Sequence, residues 1–273
     1  MTKKFGIIGN PIKHSLSPIL HNYWFAKYKI DADYSIIETE DKDLSDVVKK
    51  IKNKDLIGIN ITLPFKQKIV PFLDILINDA ESTSSANTLY LDDKGRIIGE
   101  NTDVFGFQAA YLKEVDGASK KKALVIGAGG VSPSVILSLQ KSGVREISII
   151  NRTKEKCIFL KKKFKFLNII EWKSIKDELM NFDIIINATS LGLKNGNDFN
   201  FNFENTKNNL IFIDTIYNPL ETKTLKYLKG KGFKVFNGLD MFIYQGQKAF
   251  YLWNKINPEI DQTLIDLLLS KLK

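Results

Sequence analysis

The chain has 273 residues, 44% of them hydrophobic and 26% charged, a soluble composition over a length that exceeds one typical domain, so two domains are expected. A single cysteine, Cys157, and two histidines, His14 and His21, exclude a disulfide framework and a His/Cys metal cluster, and no apolar run approaches the roughly 18 residues of a membrane span. The net charge of +9 does not read as a nucleic-acid footprint, because only Arg96, Arg145 and Arg152 among 40 basic residues are arginine, and arginine is the preferred reader of bases and phosphates.

Lys4–Gly9 reads as a first strand, closed by Gly9-Asn10-Pro11. Its apolar run is too short for a signal peptide, and a cytoplasmic protein is expected. His14-Ser15-Leu16-Ser17-Pro18 follows, then a helix over about residues 18–28. Pro18 suits the first turn, Ser17 is a natural N-cap, and Ile19, Tyr23 and Ala26 point to one face. Ser15 and Ser17 also suit a small anionic ligand at a strand-to-helix turn. Tyr34–Glu38 reads as a second strand and Leu44–Lys52 as an amphipathic helix, with Leu44, Val47, Val48 and Ile51 at helical spacing. Leu56–Thr62 is a third strand, and this alternation implies a parallel or mixed sheet.

The third strand runs into Asn60-Ile61-Thr62-Leu63-Pro64-Phe65-Lys66. Pro64 stops the ladder and turns the chain. Lys66 then lies at the carboxyl edge of a sheet, where open α/β folds place ligands. On this stretch alone, one more solvated lysine is the stronger reading. Leu89–Gly99 reads as a hairpin turning at Asp93–Gly95, which brings Asn87 before it and Asp103 after it to the same end. A polar cluster of Asn60, Thr62, Lys66, Asn87, Asn101 and Asp103 follows from that arrangement.

Lys122–Ile126 is an apolar strand, followed by Gly127-Ala128-Gly129-Gly130, then Val131-Ser132-Pro133-Ser134 and an apolar helix over Val135–Leu139. Glycines there allow close approach to a pyrophosphate bound at the helix N-terminus, and Ser132 stands where a third fingerprint glycine is usual. The next strand, Glu146–Ile150, ends in Asn151-Arg152-Thr153 rather than in a carboxylate. A guanidinium there suits a 2′-phosphate, which favours NADP over NAD. Asp183–Ser190 and Leu210–Asp214 are further strands running into polar residues. The Asn-rich stretch 197–209 reads as a surface loop, and residues 245–256 and 263–272 as closing helices.

Three motifs occur together: Gly9-Asn10-Pro11-Ile12 with His14-Ser15-Leu16-Ser17-Pro18, Asn60–Lys66, and Gly99-Glu100-Asn101-Thr102-Asp103. Their order and spacing resemble the shikimate dehydrogenase family, over nearly the whole chain. The resemblance implies a two-domain α/β fold. Residues 1–103 plus 238–273 would form a substrate domain with a mixed, mainly parallel sheet, and 104–237 a Rossmann-type NADP-binding domain. It implies reversible NADPH-dependent reduction of 3-dehydroshikimate to shikimate, on the chorismate route to aromatic amino acids. A monomer or homodimer acting on small molecules, with no metal, no nucleic acid and no membrane, is expected.

By the same resemblance Lys66 is the proton donor and Asp103 its partner. Ser15 and Ser17 bind the substrate carboxylate, and Asn60, Thr62, Asn87, Tyr217 and Gln245 hold its hydroxyls and carbonyl. Gly127, Ala128, Gly129, Gly130, Asn151, Arg152, Thr153, Thr189, Ser190, Gly238 and Met241 form the cofactor side. Two departures stand out: Ser84-Ser85-Ala86 where the family usually has Gly-Ala-Val, and Pro133 where it often has Arg. The alternatives are an NAD-using quinate/shikimate dehydrogenase and a non-catalytic ligand sensor, which would be expected to lack Lys66 or Asp103.

Overall fold

The apolar run after Lys3-Lys4 forms β1 (Lys3–Gly9), parallel to β2 (Ala32–Glu38) on one side and β3 (Gly58–Ile61) on the other. The computed structural model describes residues 2–193 and 197–272. By its contacts the chain divides into two units, Met1–Phe105 with Ile243–Lys273, and Gly106–Phe242. Both crossings fall inside helices, α5 (Thr102–Tyr111) and α10 (Leu239–Asn254). No helix among the described residues is long and apolar enough to cross a membrane.

In the first unit the sheet order is β2-β1-β3-β5-β6-β4, with β4 at Ile75–Leu76, β5 at Thr88–Leu91 and β6 at Ile97–Glu100. β5 is antiparallel to both β3 and β6, and β4 is parallel to β6, so the sheet is mixed. Helices α1 (Ser17–Lys27) and α2 (Leu44–Lys52) are the crossovers from β1 to β2 and from β2 to β3. α2 buries Leu44, Val47, Val48 and Ile51 against Ile8, Ile59, Ile61 and Leu89, each worth about 1.5–3 kcal/mol of transfer free energy. Short helices α3 (Phe65–Lys68) and α4 (Asp79–Thr83) follow β3 and β4, and α11 (Gln262–Ser270) closes the unit.

Two expectations for α1 need correction. Ser17 is its first residue, not its cap: Leu16 takes the N-cap position, and the Ser17 N–H donates to Ser15 Oγ at 3.2 Å. The buried face is Leu20, His21, Trp24 and Phe25, while Ala26 is exposed. Aromatic side chains decide this, because His21 stacks on Tyr34 at 4.5 Å and 11° and sits among Trp24, Phe250 and Trp253.

His21 is fully buried, and neither ring nitrogen reaches a hydrogen-bond partner among the described residues. Burial pushes it down from 6.5 to about 3, against a smaller upward pull from the nearby Asn60 side chain, so the ring is neutral. The unfolded chain binds this proton near pH 6.5 and the folded chain does not. Stability is therefore whole above pH 6.5 and is lost as pH falls toward 3, by roughly 3–5 kcal/mol. Urea midpoints measured from pH 7 to pH 4 should fall steeply for the wild type and more gently for His21→Phe; equal slopes would contradict this account.

The second unit has the order β12-β11-β10-β7-β8-β9, parallel throughout. Its strands are β7 (Lys122–Ile126), β8 (Glu146–Ile150), β9 (Asn168–Ile170), β10 (Ile184–Asn187), β11 (Ile211–Asp214) and β12 (Lys234–Phe236). The continuous apolar runs of β7, β8, β10 and β11 are those of strands buried on both faces. Helices α6 (Ser132–Lys141), α7 (Lys154–Lys163), α8 (Ile175–Glu178) and α9 (Lys223–Gly230) join them. This is a doubly wound sheet whose strand order reverses between β7 and β10, the position at which such folds bind nucleotides. The loop 197–209 is not only surface: Phe203 is buried, and Phe199 and Phe201 pack with it against the core around Phe212.

Candidate functional site

In the first unit the carboxyl end of β3 and the two ends of the β5–β6 hairpin meet. α3 begins directly after Pro64 and carries Lys66, while α5 carries Asp103 in its first turn. Lys66 Nζ donates to Asp103 Oδ2 at 2.5 Å, and the two side chains are only 12% and 7% exposed. The ammonium has three donors, and Asp103 is its one acceptor among the described residues. Asp103 is held from two further sides. Asn87 Nδ2 donates to its Oδ1 at 2.9 Å, and its own N–H donates to Asn101 Oδ1 at 3.1 Å.

Asn87 is the hub. Its Oδ1 accepts from the Thr102 N–H (2.8 Å), the Thr102 hydroxyl (3.1 Å) and the Thr88 hydroxyl (3.1 Å). The backbone donor fixes which end of the amide is oxygen, so Nδ2 faces Asp103 and, at 3.5 Å, Gln245 Oε1. Asn60 is spent in the same way: Nδ2 donates to Asn87 O and Thr88 Oγ1, and Oδ1 accepts from Tyr34 Oη at 2.8 Å. With both N–H bonds used, Asn60 has only acceptor capacity left for a ligand. Burial raises the Tyr34 phenol well above its ordinary value, and the Ser17 hydroxyl beside it opposes this. Thr62 is half-buried at the end of β3.

The hairpin thus unites Asn60, Lys66, Asn87, Asp103 and Gln245. Asn101 keeps its Oδ1 on the Asp103 N–H and turns only its Nδ2 away, donating to Thr83 Oγ1 and Ser85 Oγ. Thr102, Thr88 and Tyr34 were not singled out by sequence reasoning. Thr102 stood inside a recognised motif, and the other two had no signal beyond strand pattern. Ser84-Ser85-Ala86 resolves one departure: Ser84 adopts the left-handed conformation (φ 49°, ψ 42°), at a cost of about 1–2 kcal/mol. Side chains hold the turn, with Ser85 Oγ donating to Thr83 Oγ1.

In the second unit the loops after β7, β8 and β10 line one sheet edge. Gly127 has φ +113°, and a Cβ there would lie 2.7 Å from Thr189 Cγ2 and 2.8 Å from Ala188 O, so only glycine fits. Ser132 Oγ accepts from the Gly129 N–H (3.0 Å) and donates to Gly127 O (2.9 Å), which fixes the turn without a third glycine. Pro133 sits in the first turn of α6, a ten-residue helix. The N–H groups of Gly130 and Val131 take no acceptor among the described residues. Free amides at a helix N-terminus fit a pyrophosphate. Asn151 Oδ1 accepts from the Ala128 N–H (3.3 Å), tying the turn after β8 to the glycine loop. That turn presents exposed Arg152, and Thr153 is the N-cap residue of α7.

After β10, Asn187 Oδ1 accepts from the Thr189 N–H and hydroxyl (3.0 and 2.7 Å), and Ser190 is exposed. Tyr217 lies after β11, tilted against Phe242 at 4.9 Å, and burial pushes its phenol up to about 12. Gly238 donates its N–H to Ile216 O at 2.8 Å, and Met241 is buried. No group of three His, Cys, Asp or Glu among the described residues could hold a metal ion.

Two family models match the chain: the shikimate dehydrogenase substrate binding domain over residues 7–89 and shikimate / quinate 5-dehydrogenase over residues 110–224. A protein named shikimate dehydrogenase (NADP(+)) from Pelagibacter ubique is 48% identical over 98% of this chain and 99% of its own length. This chain belongs to the shikimate dehydrogenase family. Among solved structures of the family, the Thermus thermophilus shikimate 5-dehydrogenase in complex with NADP(H) and shikimate superposes with a TM-score of 0.88, at 30% identity, covering 99% of this chain and 100% of that one. Quinate dehydrogenase from Corynebacterium glutamicum in complex with NAD gives a TM-score of 0.90 at 25% identity, covering 98% and 99%.

Proposed function

We propose that this chain reversibly reduces 3-dehydroshikimate to shikimate with NADPH, as a step toward aromatic amino acids. The buried Lys66–Asp103 pair, held by Asn87 at the carboxyl edge of β3, carries the reading. The first unit carries all the proposed substrate residues but Tyr217, and the second carries the proposed cofactor residues. Ser15 and Ser17 take the substrate carboxylate. Asn60, Thr62, Asn87, Gln245 and Tyr217 take its oxygens, with Asn60 accepting from a substrate hydroxyl. Gly127–Gly130 cradle the pyrophosphate, Asn151–Thr153 the adenosine ribose and its 2′-phosphate, and Thr189, Ser190, Gly238 and Met241 complete the cofactor side. A dinucleotide held by these residues would supply the hydride.

The chain's own part is proton transfer and orientation. Lys66 uses a spare N–H to polarise the substrate carbonyl and gives that proton to the oxygen as it becomes an alkoxide. Asp103 holds the amine on line, and Asn87 holds Asp103. In the reverse direction the neutral amine takes the hydroxyl proton. We place the enzyme in the cytoplasm, as a monomer or homodimer, with small molecules as its partners.

Absorbance at 340 nm should rise with shikimate plus NADP, and far less with NADP plus quinate or with shikimate plus NAD. No rise with any pair would leave a ligand sensor on this fold. A preference for quinate and NAD would assign the chain to the other activity of the family.

A further inference from the structure

The functional reading leaves two buried carboxylates unused, Glu100 and Asp214, and only Asp214 lies beside residues given to the cofactor side. Asp214 ends β11 with no solvent exposure, in register with Asn187 at the end of β10, which is also fully buried. Asp214 Oδ1 accepts from Asn187 Nδ2 (3.1 Å) and from the Ile216 N–H (3.0 Å), and Oδ2 accepts from the Thr222 hydroxyl (2.9 Å). Asn187 in turn organises its whole loop. Its Oδ1 holds Thr189 by two bonds, and its Nδ2 also donates to Leu191 O at 2.9 Å. On the other side, the Ile216 carbonyl accepts the Gly238 N–H, one residue before Tyr217. Burial pushes the Asp214 carboxyl up to about 6, against these three donors.

A carboxylate costs free energy to bury, and an apolar residue could fill this place in a parallel sheet. What the carboxylate adds is fixed acceptors for two loops at once. We propose that Asp214 is a positioning residue that sets the Thr189 loop and the Tyr217 turn in a single register, through Asn187 Nδ2 and the Ile216 N–H. It touches neither ligand. The inference rests on the roles given above to Thr189 and Tyr217. Without Asp214, the Asn187 amide keeps only Leu191 O as an acceptor and the Ile216 N–H is left buried and unpaired, so both loops loosen together. The Thr222 bond is separable, because Thr222 is also the N-cap of α9, accepting from the Leu225 N–H.

The test compares Asp214→Ala, Asp214→Asn and Thr222→Val for melting temperature, NADP affinity by calorimetry, and KM and kcat for shikimate. Asp214→Ala should weaken NADP binding and raise the shikimate KM by about tenfold or more each. Asp214→Asn keeps an acceptor oxygen and should stay within a few-fold of wild type. Thr222→Val should lose melting temperature with both affinities within about twofold. Unchanged affinities in a folded Asp214→Ala would overturn the proposal, as would equal losses in Thr222→Val. Should Asp214→Ala not fold, loss of both affinities in Asp214→Asn would overturn it instead. NADP calorimetry needs no turnover, so a failure of the shikimate assignment would show in wild-type kinetics and leave this comparison readable.

Discussion

Lys66→Ala should lower kcat for shikimate oxidation by about two to four orders of magnitude, the range of a lost general acid–base group, with NADP affinity unchanged. The expectation follows from where the amine is held. Its 2.5 Å bond to Asp103 leaves two donors free, and the pair is almost wholly buried, so water cannot readily stand in as the proton carrier. Lys66→Arg should not rescue the rate, because a guanidinium keeps its charge but does not give up or take up the proton. Removing one partner of a buried pair also strands the other, at about 3–5 kcal/mol, so part of the loss could come from unfolding. Double substitution separates the two effects: Lys66→Ala with Asp103→Asn should regain melting temperature but not kcat. Single-turnover rates at saturating shikimate and NADP are the deciding measurement, and a tenfold drop or less would remove Lys66 from proton transfer.

The residues behind that expectation differ in how far sequence could reach them. β7 and β8 were legible because a strand buried on both faces is apolar throughout, and Gly127 because nothing else fits its turn. The meeting of Asn87 with Asp103 followed from the hairpin alone, since an antiparallel turn returns the chain to its start. The N-cap of α1 was not legible: Ser17 suits a cap by type, yet the helix starts one residue earlier than that reading requires and Leu16 takes the position. The buried face of α1 was missed because its aromatic side chains, not its aliphatic ones, meet Tyr34 and Phe250. The Asn187–Asp214 pair depends on two strands 27 residues apart in sequence lying in register, which no local pattern encodes. Tyr34 and Thr88 escaped for the same reason, as they matter through Asn60 and have no motif of their own.

Arg152→Asp should reverse the cofactor preference, weakening NADP by about a hundredfold or more and improving NAD. Three observations place the guanidinium for this task. It follows β8, whose turn is tied to the glycine loop through Asn151 and the Ala128 N–H. It is exposed, and among the described residues no carboxylate pairs with it, whereas Arg96 is committed to Asp92. The strand end carries no acid of its own to hold a ribose 2′-hydroxyl. Hydrogen bonds to a charged group are worth about 1.5–3 kcal/mol, and a fork onto a 2′-phosphate makes two of them. The aspartate removes both and adds like-charge repulsion, while its carboxylate can accept from a 2′-hydroxyl. The loss should appear in the KM for NADP, with kcat at saturation nearly unchanged, because the adenosine end is remote from the transferred hydride. Ionic strength gives an independent check: salt should weaken NADP binding to the wild type more than to Arg152→Gln, since an exposed ion pair is screened. An unchanged ratio of NADP to NAD specificity in Arg152→Asp would mean that other residues read the phosphate, and the lysines of α7 would then be the next to change.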